Sequence, residues 1–350
     1  MPQEIDAFSP AQIAKIQQLL ASREMANVLL VFQLIQGKPL PLVLYPDLQK
    51  YALLCLQHGL LAPLQGLKKL ELPKQGLSEL PPIIAELQAL EELSLYSNEF
   101  VHFPAPILTL CQLKSLSLSQ NPLRALPEQI SRLTSLTQLH CNRTRIGQLP
   151  EGLFGLSHLV VLNIHSNGFA HLPPAIRHLH KLEYLMLGNN HLTQLPDEIA
   201  ELKALKNLDL ENNEIQQLPE SIGQLKNLRS LSILRNKIRY LPDSLVEITR
   251  LQTLNVENNQ LRALPTQLGQ LGQLAVLRVN GNRIAHLPAS IGQLSQLQEL
   301  NLYQNQLQKV PDSLAQLSPH LSKLNIMSNP LSKSERAKIR EMLPFTRIYF

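Results

Sequence analysis

Residues 182–204 read LEYLMLGNNHLTQLPDEIAELKA, and residues 205–227 read LKNLDLENNEIQQLPESIGQLKN. Set one beneath the other, they share a frame, LxxLxLxxNxL followed by xxLPxxIxxLxx. The frame extends in both directions. Its first leucines are Leu67, Leu90, Leu113, Leu136, Leu159, Leu182, Leu205, Leu228, Leu251, Leu274, Leu297 and Leu321. The step is 23 residues until the last, which is 24, so one residue is inserted near Ser318-Pro319-His320. A period of this length means a stack of similar units, each too small to bury its own apolar face.

Each column has a physical reading. The alternating LxL is a short strand with one face turned inward. The fourth position is Leu in all twelve units, and the sixth is Leu, Ile or Val except at Cys141. Stacking sets neighbouring strands about 4.8 Å apart and parallel. Cys141 reads as a small apolar core residue. The ninth position is Asn at 98, 121, 167, 190, 213, 236, 259, 282, 305 and 329, with Gln75 and Thr144 as departures. The chain turns inward there, and buried backbone groups need partners. A carboxamide both donates and accepts, so a column of them can join successive turns. The Leu-Pro pair, with Phe103-Pro104 and Val310-Pro311 as variants, opens the return path. Proline suits the first turn of a short helix, and the following IxxL faces the sheet. A helical wall is wider than a strand wall, so the stack curves with its strands on the concave side.

Twelve units in register resemble the leucine-rich repeat family over about three quarters of the chain. The resemblance implies an α/β solenoid, a curved horseshoe with short helices or 3-10 turns on its convex face. The 23-residue, LP-containing form is similar to the intracellular Ras-suppressor and Scribble-type group. That likeness implies a cytoplasmic module in signalling or scaffolding, with a small GTPase or a phosphatase as partner.

An open stack exposes its core at each end and needs caps. Residues 1–66 lack the frame. Ser9-Pro10 before Ile13, Ile16, Leu19 and Leu20 predicts a capped helix. Residues 24–36 predict a second, stopped by Gly37, and 47–58 a third, with Gly59 after it. These form a helical cap; the alternative is a docking domain. Residues 67–331 are the repeats. In 332–350, Ser332 and Glu335 have capping-box spacing, a helix runs to about Leu343, and 346–350 predict an edge strand.

Composition agrees. The 77 leucines among 350 residues, with 4% aromatics and no Trp, mean a core built by repetition. The net charge of +5 is not spread evenly; residues 67–331 carry 23 basic and 21 acidic side chains, and residues 332–350 carry five basic and two acidic. A nucleic-acid groove would need clustered Lys and Arg. The basic tail (Lys333, Arg336, Lys338, Arg340, Arg347) has no strong apolar face or lipidation motif to anchor it in a membrane. MPQEIDAFSP does not read as a secretory leader. Cys55, Cys111 and Cys141 read as reduced, packed thiols.

The sequence carries no phosphate-binding glycine loop, nucleophile elbow or HExxH. His102, His171 and His286 share a column in units that are not adjacent, and His178 and His180 have no carboxylate close by. No catalytic, cofactor or metal site is expected. What remains is the outward face of the strands, from the third, fifth, seventh and eighth positions. Near its middle stand His140, Arg143, Val161, His165, Tyr184, Met186, Asp209, Glu211, Leu234 and Arg235, with Tyr96 and Tyr303 further out. Tyr, Met and Leu among opposite charges have the composition of a binding hot spot. His140 and His165 make pH-dependent binding an expectation. The leading function is non-enzymatic protein binding by a monomer. The alternatives are an anionic-surface binder and an enzymatic role in residues 1–66.

Overall fold

The structure, a computed structural model, describes residues 8–350. Most of the leader reading therefore lies outside the described residues. Each LxL becomes a three-residue strand: β1 (Lys69–Glu71), β2 (Glu92–Ser94), β3 (Ser115–Ser117), β4 (Gln138–His140), β5 (Val161–Asn163), β6 (Tyr184–Met186), β7 (Asn207–Asp209), β8 (Ser230–Ser232), β9 (Thr253–Asn255), β10 (Val276–Arg278), β11 (Glu299–Asn301) and β12 (Lys323–Asn325). The C-terminal segment adds β13 (Arg347–Tyr349), parallel to β12, with Ile348 opposite Leu324. The strands form one parallel sheet in chain order, unclosed, with β1 and β13 at its edges. Equivalent residues pair, as Leu185 with Leu208 and Leu208 with Leu231. These leucines are wholly buried, and one apolar cluster runs from Phe8 to Leu343.

The convex wall is built of 3-10 turns rather than α-helix. Pro196 precedes the turn Asp197–Glu201, and its carbonyl accepts from Ile199 N at 3.1 Å. Proline thus stands just before the turn, with an extended backbone, and not inside it. Only a few residues separate proline from the next inward leucine, which favours the tighter i to i+3 spacing. The extra residue of the last step is taken up by a longer turn, Asp312–Leu317.

The ninth-position asparagines join the units. Asn236 Nδ2 donates to Ile233 O in its own unit and to Leu210 O in the one before, at 3.1 and 2.9 Å. Its Oδ1 accepts from Ile215 N at 3.0 Å. Asn213, Asn259, Asn282 and Asn305 repeat the pattern. Thr144 is shorter. Its hydroxyl lies near Cys141 O and Asn167 Oδ1, and it does not reach back to the third unit. The neighbouring Ser119 hydroxyl donates to Asn142 Oδ1 across the same junction. Gln75 is exposed at the sheet edge and bonds Pro73 O.

The eighth position holds a feature the periodicity did not announce. It is left-handed in every unit, with φ between 50° and 56° at residues such as Ser97, Arg143, Asn212 and Arg235, and 66° at Gly281. The inward turn requires this conformation, so non-glycine residues carry a local strain of about 1–2 kcal/mol each.

At the N-terminus, α1 (Pro10–Ala21) has the full capping box: Gln12 N donates to Ser9 Oγ and Ser9 N to Gln12 Oε1. Helix α2 (Met25–Ile35) buries Val28, Val31, Phe32 and Ile35, while Met25, Leu29, Leu30 and Leu34 are exposed. The third expected helix is two. A 3-10 turn (Leu42–Leu44) leads into α3 (Tyr45–Gln49), and α4 (Ala52–Gln57) follows a break. Tyr51 makes the break: its hydroxyl donates to Leu20 O at 2.8 Å, and its backbone leaves the helical region. At the other end, α5 (Lys333–Met342) is capped by Ser332 Oγ, which accepts from Glu335 N at 3.1 Å. The reciprocal half of the box is replaced. Glu335 Oε1 accepts from Val310 N at 2.9 Å and ties α5 to the eleventh unit.

Cys141 is fully buried in the leucine column, and Cys55 is buried beside α3; burial pushes both thiols up to about 12. Cys111 corrects the packed-thiol reading, because it is exposed on the convex side.

Replacing Asn236 by Leu orphans two carbonyls and an amide. It should lower stability by about 2–4 kcal/mol in urea denaturation. Thr144→Asn restores the missing rung and should raise stability by about 1 kcal/mol. At the left-handed eighth position, Ser97→Val should cost about 1–2 kcal/mol while Ser97→Gly is tolerated; equal midpoints would refute the strain.

Candidate interaction surface

The sheet converts columns into rows. On the concave face the third-position row runs Gln138, Val161, Tyr184, Asn207, Ser230, because these residues pair in register. The fifth-position row runs His140, Asn163, Met186, Asp209, Ser232. The seventh and eighth positions form the rim where each strand turns inward. There stand His165, Glu211 and Leu234, and, on left-handed backbone, Arg143 and Arg235.

All ten residues singled out from the sequence lie on this wall, but they do not form one cluster. Tyr184 is exposed, and its paired neighbour Val161 is half-buried. Arg143 and Arg235 are exposed, in the fourth and eighth units. His140 is half-buried, and burial lowers its pKa. Three residues do converge. His165 Nε2 lies 3.3 Å from Glu211 Oε1, although the two belong to units five and seven. Asp209 joins them, and its Oδ1 accepts from Glu211 N at 3.0 Å. Burial is the main cause that raises the Asp209 carboxyl pKa, and the Glu211 charge adds to it.

Sequence reasoning named these three without seeing that they meet. The signal was available in one residue. The seventh position of unit six is Gly188, which leaves a gap between two long side chains in its own column. A second charged group was missed altogether. Arg278 reaches Glu299 through Nε and one terminal nitrogen, both at 3.2 Å, in a bidentate pair. Lys323 also lies 3.7 Å from Glu299. His102, His171 and His286 are exposed, each in its own unit. Among the described residues, no helix is long and apolar enough to cross a membrane.

The His140 shift has a sign. An unfolded chain protonates this ring near the ordinary value of about 6.5, more readily than the fold does. The stability His140 contributes is therefore complete above about pH 6.5 and is lost as pH falls toward its lowered folded value. A His140→Gln variant should show a flatter decline of the thermal midpoint between about pH 7.5 and 5 than the wild type. Parallel profiles would contradict this.

Comparison with known proteins agrees with the geometry. A leucine-rich repeat region model matches residues 171–236 and 223–344, and a leucine rich repeat model matches residues 134–192. Together they cover more than half of the chain. No curated relative matches. Among solved structures, a leucine-rich repeat protein of Leptospira interrogans is 28% identical, with a TM-score of 0.54 over 85% of this chain and 97% of that one. The leucine-rich repeat ectodomain of a membrane receptor kinase of Arabidopsis thaliana, solved in complex with Casparian strip integrity factor 2, is 32% identical. Its TM-score is 0.68 over 77% of this chain, which spans 34% of the receptor chain. An internalin of Listeria monocytogenes shares the fold, with a TM-score of 0.76 at 24% identity over 89% of this chain and 91% of its own. With its columns, its unclosed parallel sheet and these matches, the chain belongs to the leucine-rich repeat family.

Proposed function

We propose that the chain is a non-enzymatic interaction module that receives a protein partner on its concave wall, centred on β4–β8. The observation that carries this reading is the middle of the wall itself. An exposed Tyr184 stands beside Val161 and Met186, with Asp209 and Glu211 on one side and Arg143 and Arg235 toward the rim. A large aromatic on a rigid sheet, surrounded by charges, binds with little loss of side-chain freedom. The Arabidopsis ectodomain, similar in fold and sequence, was solved in complex with Casparian strip integrity factor 2, which supports the use of this architecture for binding. Likeness to the Ras-suppressor and Scribble-type group supports a cytoplasmic place in signalling and a small GTPase or phosphatase as partner; the proposed module is a monomer.

The mixed surface disfavours an anionic polymer. Charges are paired between units, as Lys68 and Lys114 with Glu91, which both lysines hold down to about 2, and Lys206 with Glu183. Elution from heparin below about 150 mM salt agrees with protein binding, and firm retention there would favour nucleic acid or membrane.

Affinity capture from native lysate should recover a partner with the wild type. A variant carrying Tyr184→Ala, Glu211→Lys and Arg235→Glu should lose it, with affinity reduced at least about 30-fold. A folded variant that keeps the same partners would place the contact elsewhere.

A further inference from the structure

Over three consecutive units the seventh position reads His165, Gly188, Glu211. A Cβ on Gly188 would lie 2.7 Å from Glu211 Cγ and 2.7 Å from His165 Cδ2. The missing methyl is what allows side chains two units apart to meet. His165, Asp209 and Glu211 each bring one ligand-type atom to within 4.8 Å of the others. Among the described residues this is the one such group of three or more His, Cys, Asp or Glu side chains.

The hydrogen bonds around His165 define what the space lacks. Asn212 Nδ2 donates to Asn189 Oδ1 at 2.6 Å, which turns the Asn189 amide nitrogen toward the imidazole. That nitrogen lies 2.7 Å from His165 Nε2 and 3.4 Å from Glu211 Oε1. An amide nitrogen only donates, so Nε2 presents its lone pair. The ring proton then sits on Nδ1, which is 2.7 Å from Ser166 Oγ. Nε2 and Glu211 Oε1 are therefore two acceptors facing each other at 3.3 Å. The Asn189 amide nitrogen bridges them here, and a positive ion held by both would take its place.

We propose that His165, Asp209 and Glu211 bind a divalent transition-metal ion of the Zn²⁺ class, with Gly188 as the floor of the site. Zinc holds nitrogen and oxygen ligands at about 2.0–2.2 Å, so two ligands at a tetrahedral angle stand about 3.3–3.5 Å apart. The His165–Glu211 separation already meets this. One imidazole and two carboxylates form a donor set that suits zinc. Calcium asks for about six to eight oxygens, which this site does not offer. Two carboxylates neutralise the ion. The outer partners are in place: Ser166 fixes the tautomer of His165, and the Glu211 amide holds one oxygen of Asp209. The ion displaces the Asn189 amide from Nε2. All three ligands rise from one face of the sheet, so the fourth position opens into the hollow.

The test uses the full chain, stripped with a chelator and titrated with ZnCl₂ by calorimetry and with Co²⁺ by visible absorption. One ion per chain and tetrahedral-type Co²⁺ bands are expected. His165→Ala, the near-isosteric Glu211→Gln, and Gly188→Ala should each weaken binding at least about tenfold. His178→Ala with His180→Ala, on the convex side, should leave it unchanged. Circular dichroism verifies the fold of each variant. The proposal is overturned by no saturable binding at about 100 μM metal, by wild-type affinity in folded His165→Ala or Glu211→Gln, or by Ca²⁺ competing as well as Zn²⁺. None of these readings depends on a protein partner.

Discussion

The structure depends on how the inward turn after each strand is hydrogen-bonded. At that point the backbone enters the core and its amides and carbonyls lose water. The ninth-position carboxamide answers both needs and answers them across a boundary: Asn236 ties its own Ile233 to Leu210 and Ile215 of the unit before. A unit alone cannot complete this set. Leucine packing supplies the bulk of the favourable free energy. It is the carboxamide that fixes the register, because a unit slipped by one residue would bury unpaired polar groups. The same turn imposes the left-handed eighth position, and that is why Arg143 and Arg235 leave the sheet where they do.

Register in turn makes the wall chemically useful. Residues far apart in sequence stand in rows set by the strand spacing, on a backbone that cannot yield without breaking the ladder. The side chains of the rows are free to vary because none is needed by the core. A small residue in a row then has an effect out of proportion to its size. Gly188 brings no side chain to the row, yet that lets His165 and Glu211 meet across a unit. The neighbouring Asn189 and Asn212 amides extend the polar network along the rim.

Much of this was legible in the sequence because the fold is periodic. The strands, the buried columns, the structural asparagines and the C-terminal edge strand follow from the spacing of Leu, Asn and Pro. The aperiodic parts were harder. The third N-terminal helix is interrupted because Tyr51 bonds a carbonyl at the end of α1, a contact that no local pattern announces. Glu335 has the spacing of a capping box but bonds Val310 of the eleventh unit, since a buried backbone amide there competes for it. Cys111 looked like the other cysteines and lies outside. On the wall, the ten residues stand in the rows that their positions in the frame give them. Their contacts were not legible, because reading each unit alone hides what stands one or two units away in the same column.

Native-state hydrogen exchange tests the claim about the inward turn most directly. The amides of Ile215, Ile238, Leu261 and Ile284 each donate to a carboxamide of the following unit. Leu123 holds the equivalent place, but Thr144 stands where its acceptor would be. The four should exchange slowly and together, through opening of the stack, and Leu123 should exchange faster through local opening at the junction of units three and four. If Leu123 is protected as strongly as the others, the carboxamides do not hold the units in register, and leucine packing alone must.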